Sequence, residues 1–261
     1  PLSAKQHAFR AGFSCDSALS EALGFLEETL PGEQDAIVIK IDVKGAFDCV
    51  KADKVLSCLK AKGFAPWFID WFGYVLTHRI VTSSLGNANC VRFLFIGTPQ
   101  GGVLSPVIWN IVMDDFIRIS QYLPHTELVV FADDGFGVIF GQTRAELSLR
   151  ANAFLILAKT WTEEAGLSIN SKTEIMHVGR RIQAPPTLSY DGNILPYLTE
   201  VKFLGVLFDQ ELTFRKHMET KVKMAKAALT KAASMQGRFW GPKPQMIKWF
   251  YTTVIRASLS Y

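Results

Sequence analysis

The sequence predicts an α+β domain followed by a helical appendage that begins near residue 212. Of the 261 residues, 49% are hydrophobic and 20% are charged, which is typical of a globular chain and excludes a disordered one. Apolar strand-like runs and amphipathic helical patterns follow one another in mixed order. Residues 1–210 contain 18 Lys and Arg against 22 Asp and Glu, whereas residues 211–261 contain 10 against 2. The basic C-terminal segment favours a polyanionic partner.

Apolar periodicity and turn signals predict the elements of the first half of the chain. A helix over 16–30 ends at a Pro-Gly pair, and a buried strand over 36–42 ends on an acidic residue. Two helices separated by Gly63 come next, and a turn over 86–89 joins two strands into a hairpin. These four elements cover residues 51–62, 66–76, 79–85 and 90–96.

The second half begins with a long helix over 103–122. Two short apolar strands follow, and the Asp133-Asp134-Gly135 sequence between them is a strong hairpin signal. An amphipathic helix then ends at Gly166. The predicted strands cover 128–132, 136–140, 174–178, 187–190 and 201–208, and the predicted helices cover 144–165 and, with a basic face, 214–238.

Three aspartates stand where apolar strands end. Asp42 is the last residue of a predicted buried strand, and Asp133 and Asp134 form the tip of an apolar hairpin. A carboxylate in such a place is costly unless it is paired or binds a cation. Carboxylate oxygens suit Mg²⁺ or Mn²⁺, and two such ions about 3.5–4 Å apart promote in-line phosphoryl displacement. Taken alone, however, Asp-Asp-Gly is more often an ordinary hairpin turn.

Several segments in order resemble the motifs of reverse transcriptases. Motifs A, B, C, D and E are matched by 42–48 (DVKGAFD), 97–106 (GTPQGGVLSP), 131–134 (FADD), 166–173 (GLSINSKT) and 202–205 (KFLG). The segment 6–14 (QHAFRAGFS) is similar to the one that precedes motif A in non-LTR retrotransposons. Trp240-Gly241 and the helix after it resemble the thumb of that group. The chain is therefore identified as a member of the LINE-type reverse transcriptases, of the jockey-like or I-like sort.

This resemblance implies a right-hand polymerase fold, with an antiparallel palm sheet backed by helices, partial fingers and a truncated helical thumb. Residues 1–34 would be a remnant of the fingers and palm entry. Residues 35–211 would form the palm with motifs A to E, and residues 212–261 the partial thumb. Because the resemblance covers only part of such a polymerase, we expect the chain alone to extend a primer poorly.

The resemblance also assigns the catalytic centre. Asp42 and Asp133 would hold two Mg²⁺ ions, which Mn²⁺ could replace, with the main-chain carbonyl of Val43 as a further ligand. Asp134 would add negative charge beside them. The implied reaction is attack of a primer 3′-OH on the α-phosphorus of a dNTP, with pyrophosphate as the leaving group. Lys172 of motif D would protonate the pyrophosphate, but motif D is one residue short before it, and a solvated loop lysine is the alternative.

Contacts with the incoming nucleotide are implied for Ala46, Phe47, Gln100 and Gly101. The aromatic residue at the position of Phe47 lies under the sugar and excludes a 2′-OH, and an ordinary core phenylalanine is the alternative. Gln100 and Gly101 would line the nascent base pair, where glycine allows close backbone approach. Primer and template contacts are implied for motif E residues Lys202, Phe203, Leu204 and Gly205 and for Lys221 and Lys223 of the basic helix, which a merely solvated amphipathic helix would also explain.

The implied partners are an RNA template, a DNA primer, dNTPs and the remainder of a retrotransposon polyprotein with an endonuclease elsewhere in it. Two other functions stay open: a decayed or repurposed copy that only binds nucleic acid, and an RNA-dependent RNA polymerase, which Phe131-Ala132 and the Pro99-Gln100-Gly101 motif disfavour. Four scattered cysteines without CxxC spacing indicate reduced thiols in an intracellular protein, and the sequence does not distinguish the nucleus from the cytoplasm. The uncharged stretch 93–113 is interrupted by Pro and Gly, so we expect no membrane span there.

Overall fold

The computed structural model describes residues 1–29, 31, 34–86, 88–99, 101–170, 173–235, 237 and 240–259. The chain divides into two compact units, Pro1–Leu198 and Thr199–Tyr261.

The helices of the first unit are α1 (Cys15–Glu27), α2 (Ala46–Cys49), α3 (Ala52–Ala61), α4 (Pro66–Thr77), α5 (Ser105–Ser120) and α6 (Arg144–Ala165). Its strands are β1 (Asp35–Lys44), β2 (Arg79–Leu85), β3 (Ala88–Leu94), β4 (Thr126–Phe131), β5 (Asp134–Gly141), β6 (Ser168–Ile169), β7 (Glu174–Val178), β8 (Ser189–Tyr190) and β9 (Asn193–Ile194).

The main sheet of the first unit is antiparallel, with strand order β4-β5-β1-β6 and with β7 also paired to β1. Strand β1 lies in the middle of this sheet, and its residues from Asp35 to Ile39 are all buried. This burial is expected of a mostly apolar run that is covered on both faces. The strand pairs β2–β3 and β8–β9 form small separate sheets. The predicted α+β class, with helices and an antiparallel sheet, is confirmed.

Helices α5 and α6 pack on the sheet and supply the largest side chains of the core. Trp109 and Trp161 are almost fully buried, and the Phe116 ring lies between Trp161 and Phe154 in space, with ring centroids 5.0 and 6.2 Å away. Strand β5 contains Gly137 at this point, and an added Cβ there would lie 2.8 Å from the Phe154 ring. The glycine therefore lets an aromatic side chain of α6 approach the sheet backbone closely.

Local sequence signals account for several element ends. The Ser14 side chain caps α1 and forms a reciprocal capping box with Ser17. Thr143 caps α6 through the backbone N–H of Glu146, and α6 ends at Gly166, whose φ of 73° is the left-handed conformation that glycine adopts freely. Among the described helices, none is long and apolar enough to cross a membrane.

The second unit consists of a hairpin and helices: β10 (Glu200–Phe203), β11 (Val206–Asp209), α7 (Arg215–Ser234), α8 (Pro244–Phe250), a π-helical turn (Tyr251–Ile255) and α9 (Arg256–Leu259). The prediction of one strand over 201–208 was wrong. Leu204 and Gly205 both have positive φ, 45° and 88°, and form a tight two-residue turn between β10 and β11. The boundary predicted at residue 212 therefore falls after this hairpin, whereas the compact second unit begins at Thr199 and includes motif E.

Candidate active site

The antiparallel register of β1 and β5 brings the predicted catalytic aspartates to one end of the main sheet. Asp42 is directly opposite Asp134, so the two side chains are on the same face of the sheet. Asp133 lies in the turn that joins β4 to β5, immediately before Asp134. All three residues are partly buried. We call this group of three carboxylates the acidic centre.

The carboxylate of Asp42 is held by a residue that the sequence interpretation did not assign to the site. The Asn170 side-chain amide donates a hydrogen bond to Asp42 Oδ2 over 3.0 Å. The Asn170 backbone N–H also donates to the Asp42 carbonyl over 2.8 Å. Asn170 directly follows β6, which pairs with β1 at Val43. Asn170 belongs to the motif D segment, so its place in that motif was the available signal.

Electrostatic repulsion and burial act together on the acidic centre. Burial raises the pKa of Asp133 above its ordinary value and the charge of Asp42 adds to that effect, although a backbone N–H bond opposes both. Burial likewise raises the pKa of Asp134, Lys40 opposes the rise, and the charges of Asp133 and Asp42 reinforce it. Lys40 lies two residues before Asp42 on β1, hence on the same face. Three carboxylates therefore lie close together, and among the groups named here Lys40 is the one positive side chain that offsets their charge.

This donor set fits a hard divalent cation that takes part of its coordination from outside the protein side chains. Carboxylate oxygens are the ligands that Mg²⁺ prefers, and crowded carboxylates with raised pKa values are stabilised by a cation. Within the described residues, no group of three or more His, Cys, Asp or Glu side chains is arranged so that it could hold a metal ion. Mg²⁺ commonly binds through one or two carboxylates and completes its shell with water and substrate phosphates.

Motif B begins against the backbone of α2 and the residue after it, where motif A ends. The Gly97 N–H donates to the Val50 carbonyl over 2.8 Å, and the Thr98 N–H donates to the Phe47 carbonyl over 2.6 Å. A Cβ added at Gly97, where φ is 78°, would lie 2.7 Å from the Phe47 carbonyl oxygen and still closer to that of Asp48. Only glycine permits this approach, so motifs A and B are fixed to one another through their main chains.

The predicted nucleotide-contact residues have different environments. Phe47 is partly buried, and its ring packs on Trp109 with centroids 5.6 Å apart and planes tilted by 41°. Ala46 is buried, whereas Gly101 has open space where a side chain would be. Gln100 and Lys172, to which the sequence interpretation gave roles, lie outside the described residues.

The predicted primer and template contacts all belong to the second unit. In motif E, Phe203 is buried, Lys202 is exposed and the turn residues Leu204 and Gly205 are partly buried. Lys221 is partly buried and Lys223 is exposed on α7.

Comparison with known proteins identifies the family. The model of the family described as reverse transcriptase (RNA-dependent DNA polymerase) matches residues 1–208. The chain belongs to this family. It is 28% identical over 213 residues to a 115 kDa protein of the type-1 retrotransposable element R1DM of Drosophila melanogaster. The aligned region covers 81% of this chain and 20% of that protein. It is 25% identical to the RNA-directed DNA polymerase from mobile element jockey of Drosophila funebris, over 87% of this chain and 25% of that protein.

A solved structure of similar fold is telomerase from Candida albicans, determined in complex with a fragment of telomeric RNA. It superposes with a TM-score of 0.56 at 12% identity, over 97% of this chain and 46% of the telomerase chain. The identification as a reverse transcriptase related to the R1 and jockey non-LTR retrotransposon polymerases is confirmed, and so is the palm-like α+β fold. The chain spans about a quarter or less of the length of these two retrotransposon relatives.

Proposed function

We propose that this chain carries the polymerase centre of an RNA-directed DNA polymerase of a non-LTR retrotransposon. It joins deoxynucleotides to a primer 3′-OH on an RNA template. The observation that carries this proposal is the register of β1 and β5, which sets Asp42 opposite Asp134 beside Asp133. The family match and the polymerase names of the retrotransposon relatives support it.

In this reaction, the hydroxyl of the primer attacks the α-phosphorus of the dNTP and pyrophosphate leaves. Asp42 and Asp133, with the carbonyl of Val43, would hold two Mg²⁺ ions, and Asp134 would add negative charge. Two Mg²⁺ ions held there would lower the pKa of the attacking hydroxyl and neutralise charge on the phosphates. The chain's own contribution is positioning: Asn170 orients the carboxylate of Asp42, and the pairing of β1 with β5 sets Asp134 opposite Asp42.

Phe47 is proposed to select the sugar of the incoming nucleotide. Its ring is braced by the buried Trp109, and its carbonyl is held by Thr98 of motif B. A ring fixed in this way excludes an added hydroxyl by collision rather than by a lost hydrogen bond. The backbone at Gly101 has open space beside it, which suits the approach of a base pair.

The second unit is proposed to bind the phosphates of the template–primer duplex. Helix α7 carries exposed lysines, and Lys223 is among them. Such contacts hold nucleic acid of any sequence, as a polymerase requires. The endonuclease and the remaining polymerase segments would lie elsewhere in a longer polyprotein.

Removal of one catalytic carboxylate tests the proposal. Asp133→Asn in the full-length protein should lower Mg²⁺-dependent dNTP incorporation on an RNA template by at least about 10³-fold, because charge stabilisation of the transition state is lost. The matched control is Asp70→Asn, which removes an exposed carboxylate of α4 and should leave the rate unchanged. Near-normal incorporation by the Asp133 variant would contradict the proposal. Normal duplex binding by an inactive wild-type protein would instead support the non-catalytic alternative.

A further inference from the structure

The turn that contains Asp133 also contains a strained residue. Ala132 has a φ of 58°, in the left-handed region that residues with a side chain rarely adopt. This residue directly precedes Asp133, so its backbone conformation sets the direction in which the chain enters the acidic centre. A strained conformation persists only where the surroundings hold it.

A buried glutamine far away in the sequence holds this conformation. The Gln6 side chain is fully buried, and its Oε1 accepts the N–H of Ala132 over 3.1 Å. Its Nε2 donates to the Ala132 carbonyl over 3.4 Å, and the indole N–H of Trp109 donates to the same carbonyl over 2.9 Å. Both polar main-chain groups of Ala132 are therefore bonded by buried side chains.

Gln6 is itself fixed in place. The segment around it runs beside the edge of β4, with the His7 N–H bonded to the Val130 carbonyl and the Val130 N–H bonded to the Lys5 carbonyl, both over 2.9 Å. Gln6 Oε1 also accepts the N–H of Ala8 over 3.1 Å. The Ala8 carbonyl in turn accepts a bond from the buried side chain of Asn110 over 2.8 Å. The amide therefore reaches Ala132 from a rigid support.

We infer that Gln6 is a positioning residue for catalysis, which fixes the Ala132 turn and thereby aims the carboxylate of Asp133. This inference rests on the proposed polymerase function. Glutamine suits the task because its amide presents an acceptor and a donor together, which the main chain of Ala132 requires. Trp109 links two parts of the site, since it bonds to Ala132 and packs on Phe47.

Gln6→Met tests the inference because methionine keeps the length of the side chain but offers neither hydrogen bond. The Ala132 N–H loses its partner, and the turn relaxes toward negative φ. We expect kcat for dNTP incorporation to fall tenfold or more, with a smaller change in KM for the dNTP, because alignment of the reacting groups suffers more than substrate binding.

A second substitution separates positioning from simple loss of stability. Adding Ala132→Gly to Gln6→Met should raise kcat at least threefold above that of Gln6→Met alone, because glycine adopts positive φ without steric cost. The matched control is Thr162→Val, which removes a buried hydroxyl that bonds to carbonyls of its own helix α6. Ala132→Gly should rescue nothing in that background. Unchanged kcat in Gln6→Met, or equal effects of glycine in both backgrounds, would overturn the inference.

Amide hydrogen exchange at Ala132 gives an independent readout that needs no activity. Exchange should be slow in the wild-type protein and at least tenfold faster in Gln6→Met, with core strand amides unchanged. Equal exchange rates in the two proteins would show that Gln6 does not hold the Ala132 turn, and would overturn the inference even if activity fell. The wild-type protein could instead show a protected Ala132 amide but no Mg²⁺-dependent incorporation. In that case the contact between Gln6 and Ala132 would be structural only, and both the polymerase proposal and the positioning role of Gln6 in catalysis would be wrong.

Discussion

The acidic centre and helix α7 carry opposite charge and differ in the burial of their charged groups. Asp42, Asp133 and Asp134 are partly buried, and side chains from segments distant in sequence fix the chain beside two of them. Helix α7 exposes most of its length, and Ala225 is its buried residue. Chemistry on a phosphorus atom demands fixed geometry, whereas contact with a phosphate backbone needs mainly charge within reach. The two regions should therefore respond differently to substitution.

Substitution near the acidic centre should change selectivity as well as rate. Phe47→Val should raise the kcat/KM ratio of ribonucleotides to deoxyribonucleotides by about tenfold or more, because a smaller side chain no longer collides with a 2′-OH. The ratio is measured with matched rNTP and dNTP on one template. Phe47→Tyr keeps the ring and serves as the control with an unchanged ratio. If Phe47→Val only lowers thermal stability and leaves the ratio alone, Phe47 is a core residue without a role in selection.

Substitution on helix α7 should change affinity by a small and uniform amount. Lys223→Ala should weaken duplex binding a few-fold at low salt for every sequence tested. It should also reduce the slope of log K against log salt concentration by about 0.7–0.9, the value for one lost phosphate contact. Lys60→Ala on α3, also exposed, is the control. An unchanged slope for Lys223→Ala would mean that α7 is only a solvated amphipathic helix.

The sequence predicted the acidic centre better than the contacts that support it. Strand-end aspartates and the order of the motifs are local patterns, so the sequence alone could single out Asp42, Asp133 and Asp134. The register of β1 against β5 then brings these residues together. The bonds from Asn170 to Asp42 and from Gln6 to Ala132 join residues more than a hundred positions apart. No periodicity encodes such pairs, because they depend on the finished packing of the sheet.

The second unit shows the reverse case, in which single residues of the sequence determine the local structure. The apolar run over 201–208 has the composition of one strand, yet the Gly205 in its middle marks a tight turn. The helix that follows begins after a turn that composition alone does not reveal: the carboxylate of Asp209 accepts the N–H groups of Thr213 and Phe214 over 3.0 and 2.6 Å. Both features depend on single residues, whereas periodicity averages over many.

The raised pKa values predict how the acidic centre affects stability without metal. A carboxyl whose pKa is raised on folding favours the folded state at low pH, and that contribution is lost as pH rises through the raised value. At pH 7 the ionised Asp133 therefore costs stability, and Asp133→Asn should raise Tm. The gain should disappear below the ordinary pKa of Asp, about 3.9, where the wild-type carboxyl is protonated in both states.

Thermal unfolding at pH 7 with and without Mn²⁺ tests most directly whether the acidic centre is a metal site. Without metal, the wild-type protein should unfold at a lower temperature than Asp133→Asn. Saturating Mn²⁺ should raise the Tm of the wild-type protein by several degrees, since a ligand at about 100 times its Kd contributes about 2.7 kcal/mol. It should raise the Tm of Asp133→Asn much less, while the Asp70→Asn control should respond as the wild type does. Equal Mn²⁺ shifts in the wild type and Asp133→Asn would contradict the assignment of Asp133 as a metal ligand.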